Sequence, residues 1–188
     1  GHYELVSQKD KLLLQIQSAN ELLAQLNIEL AKAMDQKDIQ IDRIVHYDAL
    51  TGLPNRALFL DRLEQELARA HRDEQMVAVL SINLVRFKHV NDSFGYQGGD
   101  QVLKQVADRL TGQLRACDTV ARIAGDEFGV VLTEIRNSRY AGEVAQKIID
   151  SFAHNPIALA DGEIFLMITV GISIYPVDGV EKSNLLKN

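Results

Sequence analysis

A short acidic stretch gives the first indication of chemistry in this sequence. Residues 121–128 read ARIAGDEF, with Asp126 and Glu127 directly after Gly125. The apolar segments on either side predict a hairpin with its turn at residues 124–125. Mg²⁺ prefers oxygen ligands, usually one or two carboxylates with phosphate oxygens and water. Hairpin turns also carry Asp and Gly for backbone reasons alone, so this turn by itself does not establish a metal site.

A second polar segment follows an apolar strand. MVAVLSINL, residues 76–84, is apolar on both faces and predicts a central, buried strand. Asn83 and Leu84 lie at its end and lead into Arg86, Phe87 and Lys88. This strand end and the acidic turn are therefore the two candidate sites for metal or phosphate chemistry.

A third segment, RACD at residues 115–118, comes just before the predicted hairpin. The planar fork of Arg115 suits an anion, and Asp118 offers a carboxylate that accepts hydrogen bonds. An ordinary surface ion pair explains the same spacing equally well. The histidines and Cys117 show no metal-ligand spacing.

The periodicity predicts the elements that position these residues. Their order is helix, strand, helix, hairpin, helix and strand, which indicates an α/β fold with helices on the faces of a mixed sheet. Thr51 and Gly52 break a first helix, and Pro54 begins the next within its first turn. We expect a helix from near Asp100, another over 139–153, and a last strand over 163–175.

The first 47 residues contain neither Pro nor Gly after Gly1, and apolar residues recur in steps of four and three. We expect a parallel coiled-coil homodimer through residues 5–47; the alternative is a single helix folded back on the domain. The predicted seam consists of Leu5, Lys9, Leu12, Ile16, Ala19, Leu23, Leu26, Leu30, Ala33, Lys37, Gln40, Ile44 and Tyr47.

Composition narrows the class of protein. A net charge of −6 over 188 residues argues against nucleic acid as the main partner. The single cysteine suits a reducing compartment, and no run of about eighteen apolar residues is present. We therefore expect a cytoplasmic location, with both ends cut from a longer protein; the cytoplasmic part of a membrane-anchored protein is the alternative.

Three motifs in order, DALTGLPNR, RFKHVNDSFGYQGGD and RACDTVARIAGDEF, resemble the diguanylate cyclase (GGDEF) family from about Asp48 to the last residue. The resemblance implies a central mixed five-stranded sheet wrapped by helices, similar to nucleotide cyclases and the polymerase palm. It divides the chain into a signalling helix, 1–47, and a GGDEF domain, 48–188, that ends before the family's last helix.

The resemblance also implies a reaction. Family members bind one GTP per subunit and condense two into cyclic di-GMP, using Mg²⁺ to activate a ribose hydroxyl and neutralise phosphate charge. The metal ligands map to position 83, the carbonyl of Leu84 and Asp126, and Asp126 and Glu127 map to the catalytic acids. Here Asn83 and Val85 replace two acids, and Ala124 replaces a glycine. We therefore expect Mg²⁺ binding to be weak or absent.

The nucleotide-binding positions match better. Asn91 and Asp100 match residues that read the guanine edge, although helix capping is an alternative role for both. Tyr96 replaces a common histidine, and Arg115 and Asp118 match an inhibitory site for cyclic di-GMP. The expected nucleotide-binding residues are Phe87, Lys88, Asn91, Asp92, Tyr96, Asp100, Ala124 and Gly125.

The sequence thus predicts a degenerate GGDEF domain that senses GTP or cyclic di-GMP, with weak or no cyclase activity. An adjacent sensor and an EAL-type phosphodiesterase domain are expected in the full-length protein. Two alternatives remain: an active diguanylate cyclase that uses Mg²⁺, and a dimerisation and relay element that binds no nucleotide.

Overall fold

The chain forms two compact units, Gly1–Arg43 and Ile44–Asn188. The computed structural model describes residues 2–160 and 162–187, and the side chains of residue 9 and of residues from 11 onward. Helix α1, His2–His46, makes up the first unit and contributes its last three residues to the second. Among the residues described, no helix combines the length and the apolar character needed to cross a bilayer.

The second unit alternates helices and strands, as the periodicity predicts. Four strands form its main sheet and two more form a separate pair. In chain order the elements are α2, Arg56–Asp73; β1, Met76–Leu84; α3, Phe87–Thr111; β2, Thr119–Ala124; β3, Glu127–Ile135; α4, Ser138–His154; β4, Ile157–Leu159; β5, Gly162–Ile164; β6, Ile168–Tyr175; and α5, Lys182–Leu185.

The main sheet has the order β2-β3-β1-β6, and each neighbouring pair is antiparallel. The α/β class with helices around a central sheet is confirmed, but the expectation of five strands in a mixed sheet is wrong for the described residues. The predicted last strand, 163–175, divides at residues 165–167, and its first part pairs with β4 instead.

Strand β1 lies between β3 and β6 and separates two apolar clusters, as expected for a central strand. Leu80 and Ile82 on one face pack with residues of α3 and α4. Val77 and Val79 on the other face pack with residues of α2. The alternation of side chains in a strand is what allows one segment to supply both clusters.

Two helix starts differ from the sequence prediction. Helix α2 begins after Asn55, whose side chain accepts a hydrogen bond from the N–H of Leu58 at 3.1 Å, so Pro54 precedes the helix. Helix α3 begins at Phe87, but a kink at Gly95 divides it, so that its second segment starts a few residues before the predicted start near Asp100. Burial of Phe87 against the main cluster stabilises this first segment, which lacks a strong apolar periodicity.

Candidate functional site

The end of β1 and the acidic turn lie side by side. Asn83 pairs with Glu127 in the antiparallel register of β1 and β3. The N–H of Leu84 donates to the carbonyl of Asp126 at 3.2 Å. The sheet therefore brings together the two segments that the sequence singles out for metal or phosphate chemistry.

The turn takes its shape from Gly125. Gly125 has a φ of +47°, a left-handed conformation that favours glycine, whereas Ala124 is not among the residues with positive φ. Ala124 ends β2 and is exposed, so its methyl group imposes no backbone strain. The replacement of the family's first glycine by alanine is thus compatible with this turn.

Arg122 connects the turn to the start of the second unit, a role that sequence reasoning missed. Its Nε and one terminal nitrogen donate to the carbonyl of Gly125 at 2.9 and 2.8 Å. The other terminal nitrogen donates to Asp48 at 3.2 Å. Residues 48 and 122 are 74 positions apart, so no local pattern indicates this contact.

Asp48 is ionised more easily than an ordinary aspartate. Burial by itself raises the pKa of the Asp48 carboxyl, but hydrogen bonds from Thr51 and Arg122 lower the pKa by more. The Thr51 hydroxyl donates at 2.7 Å and the Thr51 N–H at 2.9 Å. The DALTG segment is therefore a polar turn whose Asp48 carboxylate holds the Arg122 side chain next to the acidic hairpin.

The donor set at the strand end lacks one carboxylate that the family resemblance implies for a Mg²⁺ site. Asp126 and Glu127 are half-buried, while Asn83 supplies a neutral amide in place of a carboxylate. Nowhere in the described part of the chain do three His, Cys, Asp or Glu side chains cluster so that they could hold a metal ion. Two carboxylates and a carbonyl are within the number of protein ligands that Mg²⁺ usually receives, so the amide at position 83 removes one anionic ligand rather than all of them.

A cavity of about 470 Å³ opens beside this pair of strand ends. Asn83 and Glu127 line it, together with Ser81 and Ser173 on the same face of the sheet. The Ser173 hydroxyl is buried and has no hydrogen-bond partner in the described structure. The strand ends thus adjoin open, partly polar space.

Helix α3 brings Asn91 close to Asp100 through a kink. Gly95 has φ +70° and ψ 173°, outside the helical range, and interrupts the helix. The kink places Oδ1 of Asn91 so close to Gly99 that a Cβ there would overlap it. Helix α3 joins two helical segments across this kink, so capping of the second segment by Asn91 or Asp100 stays an alternative to nucleotide binding.

The remaining predicted nucleotide-binding residues differ in exposure. Phe87 is buried, and its side chain packs in the main cluster rather than facing solvent. Lys88, Asp92 and Tyr96 are exposed, and 83% of Tyr96 is accessible to solvent. The structure places these three on α3 without bringing them into a hydrogen-bonded cluster.

Arg115 and Asp118 lie at a separate site. Asp118 accepts from the N–H of Arg115 at 3.0 Å and from the N–H of Thr133 at 3.2 Å, so it anchors the turn to β3. The Arg115 guanidinium stacks on Tyr140, 4.6 Å from the ring centroid, and is not ion-paired with Asp118. Arg115 also lines a cavity of about 590 Å³.

Comparisons with known proteins agree with this architecture. The family described as "Diguanylate cyclase, GGDEF domain" matches residues 45–188. Diguanylate cyclase TpbB of Pseudomonas aeruginosa is 41% identical over 84% of this chain and 36% of its own length. Its solved GGDEF domain superposes with a TM-score of 0.73 at 43% identity, covering 76% of this chain and 83% of that one.

Two further relatives extend the comparison. The bifunctional diguanylate cyclase/cyclic di-GMP phosphodiesterase MucR of the same organism is 38% identical over 85% of this chain and 23% of its own length. The coiled coil and GGDEF domain of DgcB from Caulobacter crescentus, solved with cyclic di-GMP, gives a TM-score of 0.74 at 22% identity, covering 88% of each chain. That likeness shows the fold alone.

The chain spans about a third of TpbB and a quarter of MucR, so these comparisons concern one domain of those proteins. The family match covers all of the second unit except Ile44, including the acidic turn, the kinked helix and the Arg115 site. On this match and the identity to TpbB, the chain belongs to the diguanylate cyclase GGDEF domain family.

Proposed function

We propose that this chain is a regulatory GGDEF domain that binds GTP or cyclic di-GMP and has weak or no diguanylate cyclase activity. One observation carries the proposal: Asn83 occupies the end of β1 directly opposite Glu127. The position that should supply an anionic metal ligand is therefore neutral, although the turn across from it retains both acids.

The magnitude of this loss is large enough to affect turnover. Two unit charges 4 Å apart interact by about 4 kcal/mol at an effective dielectric constant near 20. Removing one carboxylate beside a divalent ion therefore costs up to several kcal/mol, and each ~1.4 kcal/mol changes a rate about tenfold. Val85 adds no compensating charge.

A turnover assay tests the proposal directly. The chain is incubated with GTP and Mg²⁺ and cyclic di-GMP is quantified, in parallel with Asn83→Asp and with Asn83→Asp/Val85→Asp. We expect little product from the unaltered chain and at least about tenfold more from the substituted ones. Rapid synthesis by the unaltered chain, or no gain in either variant, would contradict this account of the metal site.

Active diguanylate cyclase is the second candidate, and one observation favours it. Arg122 holds the carbonyl of Gly125, and the turn carries Asp126 and Glu127 without strain at Ala124. A preorganised turn of this kind is compatible with catalysis. The assay above separates the two candidates, since an active cyclase needs no substitution at position 83.

Two regulatory features belong to the same proposal. Cyclic di-GMP binds at Arg115, whose guanidinium stacks on Tyr140 and lines a cavity of about 590 Å³. Residues 5–47 of two chains form a parallel homodimer. The dimer covers apolar side chains of α1 such as Leu26 and Leu30, which are 52% and 60% exposed in the single chain.

In the full-length protein a sensor precedes this helix, and an EAL-type phosphodiesterase domain is the partner that the GGDEF domain modulates.

A further inference from the structure

The regular seam of α1, which alternates steps of four and three, weakens after Leu30. Up to that residue it selects mainly leucine and isoleucine. After it, the same steps select Ala33, Lys37 and Gln40 before they reach the next large apolar residue, Ile44. One small and two polar side chains in succession give a dimer core little apolar surface to bury.

Met34 and Ile41 are large apolar residues that the regular seam leaves out. They are 58% and 57% exposed in the single chain. Each comes directly after a weak position of the regular seam, Ala33 or Gln40. A shifted seam, which moves by one residue after Leu30, therefore exchanges an alanine and a glutamine for a methionine and an isoleucine.

The geometry of a straight helix favours the shifted seam. Successive residues of an α-helix turn by about 100° around its axis, so a strict seven-residue repeat drifts by about 20° per repeat. On such a helix a sector of about 80° contains the seam residues from Leu12 to Leu30, followed by Met34, Lys37, Ile41 and Ile44. The regular seam leaves this sector after Leu30 and ends about 60° outside it.

Tyr47, the last position of the regular seam, lies outside the helix. Helix α1 ends at His46, and Tyr47 forms an isolated antiparallel bridge with Pro54. Tyr47 is also half-buried in the single chain, whereas Leu30 and Ile41 are exposed. The regular seam therefore loses its last position, and the shifted seam does not depend on it.

We propose that the α1 homodimer contains a stutter at Leu30, after which Met34, Lys37 and Ile41 face a second copy of the chain. A stutter adds four residues to the repeat, so that the step from Leu26 to Leu30 and the step from Leu30 to Met34 are both four. Such an insertion locally unwinds a coiled coil. This inference rests on the proposed function, which assigns a parallel homodimer to α1.

The charge of the shifted seam fits a second copy as its occupant. Lys37 is the one charged side chain in the sector between Leu12 and Ile44. A single lysine in the core of a coiled coil specifies the register of the two helices at a cost in stability. The long stem of Lys37 also covers apolar surface while its ammonium group reaches water. The shifted seam is continuous with Leu23 and Leu26, so the same second copy covers both parts.

Cysteine cross-linking compares the two seams at neighbouring residues. Cysteine is introduced singly at Ala33, Met34, Gln40 or Ile41 in the Cys117→Ser background, because Cys117 is exposed and would react as well. A disulfide needs two Cα atoms about 4.4–6.8 Å apart, which favours core positions of a parallel dimer. Met34→Cys and Ile41→Cys should therefore cross-link at least about tenfold faster than Ala33→Cys and Gln40→Cys.

Leu26→Cys and Asp35→Cys are the controls in the same background. Leu26 belongs to both seams and should cross-link rapidly. Asp35 follows Met34 but lies about 100° outside the sector, so it should cross-link slowly. Faster cross-linking at Ala33 and Gln40, or equal rates at both pairs of positions, would overturn the stutter.

Gln40→Leu has different consequences in the two seams. In the regular seam it replaces a polar core residue and should lower the dimer dissociation constant at least about tenfold. With the stutter, position 40 lies outside the core, so the change should stay within about threefold, while Ile41→Gln should raise the constant at least about tenfold. Sedimentation equilibrium measures both variants, and a tenfold tighter dimer of Gln40→Leu would contradict the stutter.

The outcomes separate this inference from the proposed homodimer. If Leu26→Cys cross-links but Met34→Cys and Ile41→Cys do not, the homodimer stands and the stutter is wrong. If the unaltered chain dimerises but Leu26→Cys does not cross-link, the parallel seam and the stutter are both wrong. If the unaltered chain stays monomeric, the homodimer itself is wrong, and the stutter with it.

Discussion

Arg122 and Asp48 show how single residues fix the acidic turn. The Arg122 guanidinium bridges the Asp48 carboxylate and the carbonyl of Gly125, while the Thr51 hydroxyl donates to the same Oδ2 atom of Asp48 that accepts from Arg122. The motif around each residue is visible in the sequence, but their contact depends on how α2 and β2 come together. Side-chain bridges between distant segments are the part of this site that sequence reasoning could not supply.

Asp48→Asn tests this bridge through its pH dependence. The pKa of Asp48 is lowered in the folded chain, so its contribution to stability is present above the unfolded pKa of about 3.9 and is lost as the pH falls through the folded pKa. At pH 7 we expect Asp48→Asn to lower the free energy of unfolding by about 1–2 kcal/mol. The difference should shrink below about pH 4, as measured by denaturant unfolding.

A double-mutant cycle provides the control for Asp48. Arg122→Gln and the double variant with Asp48→Asn are unfolded under the same conditions. If the two side chains act together, the double variant loses less stability than the sum of the single ones. Additive losses, or a loss for Asp48→Asn that does not change with pH, would show that the ion pair does not hold the turn.

Among the helices and strands, those with a strong pattern of apolar residues could be predicted from the sequence. The continuous apolar segment of β1, the hairpin signal of β2 and β3, and the helical spacing of α4 all predicted the elements observed. The missed elements lack such signals: β4 and β5 have three residues each. The first part of α3 is polar and glycine-rich, and its kink depends on the positive φ of Gly95.

Because of the kink in α3, a substitution at Gly99 should affect nucleotide binding more than stability. A Cβ at this position overlaps Oδ1 of Asn91, which is the end of a flexible side chain and can rotate away. Gly99→Ala should therefore change the free energy of unfolding by no more than about 1 kcal/mol, since alanine also favours the helix. Binding of GTP, measured by calorimetry, should fall at least about tenfold because Asn91 leaves its position.

Gly142 in α4 offers the matched control for this substitution. A Cβ built there meets nothing within 4 Å, and the residue is exposed. Gly142→Ala should stabilise the chain by about 0.5–1 kcal/mol and leave GTP binding unchanged. Unchanged GTP binding in Gly99→Ala would show that Asn91 does not read the nucleotide.

In the molecule as a whole, helix α1 is the element whose apolar side chains a single chain leaves most exposed. Its apolar residues are spaced for a seam, yet Leu12, Leu23, Leu26 and Leu30 are all more than half exposed in the single chain. A helix of 45 residues with this pattern is typical of a coiled coil. The predicted helix itself is confirmed, whereas a second copy of the chain as its partner stays a prediction.

Leu26→Lys tests the homodimer and the seam together. Leu26 lies on the predicted seam, and Ile28 lies about 200° away around the helix; the two are similarly exposed, at 52% and 56%. A lysine buried in the seam should raise the dimer dissociation constant at least about tenfold, whereas Ile28→Lys should leave it near that of the unaltered chain. Sedimentation equilibrium measures the dissociation constants of both variants.

A larger effect from Ile28→Lys would show that the seam lies on the other face of the helix. If the unaltered chain were monomeric at every concentration, the coiled-coil dimer would be refuted.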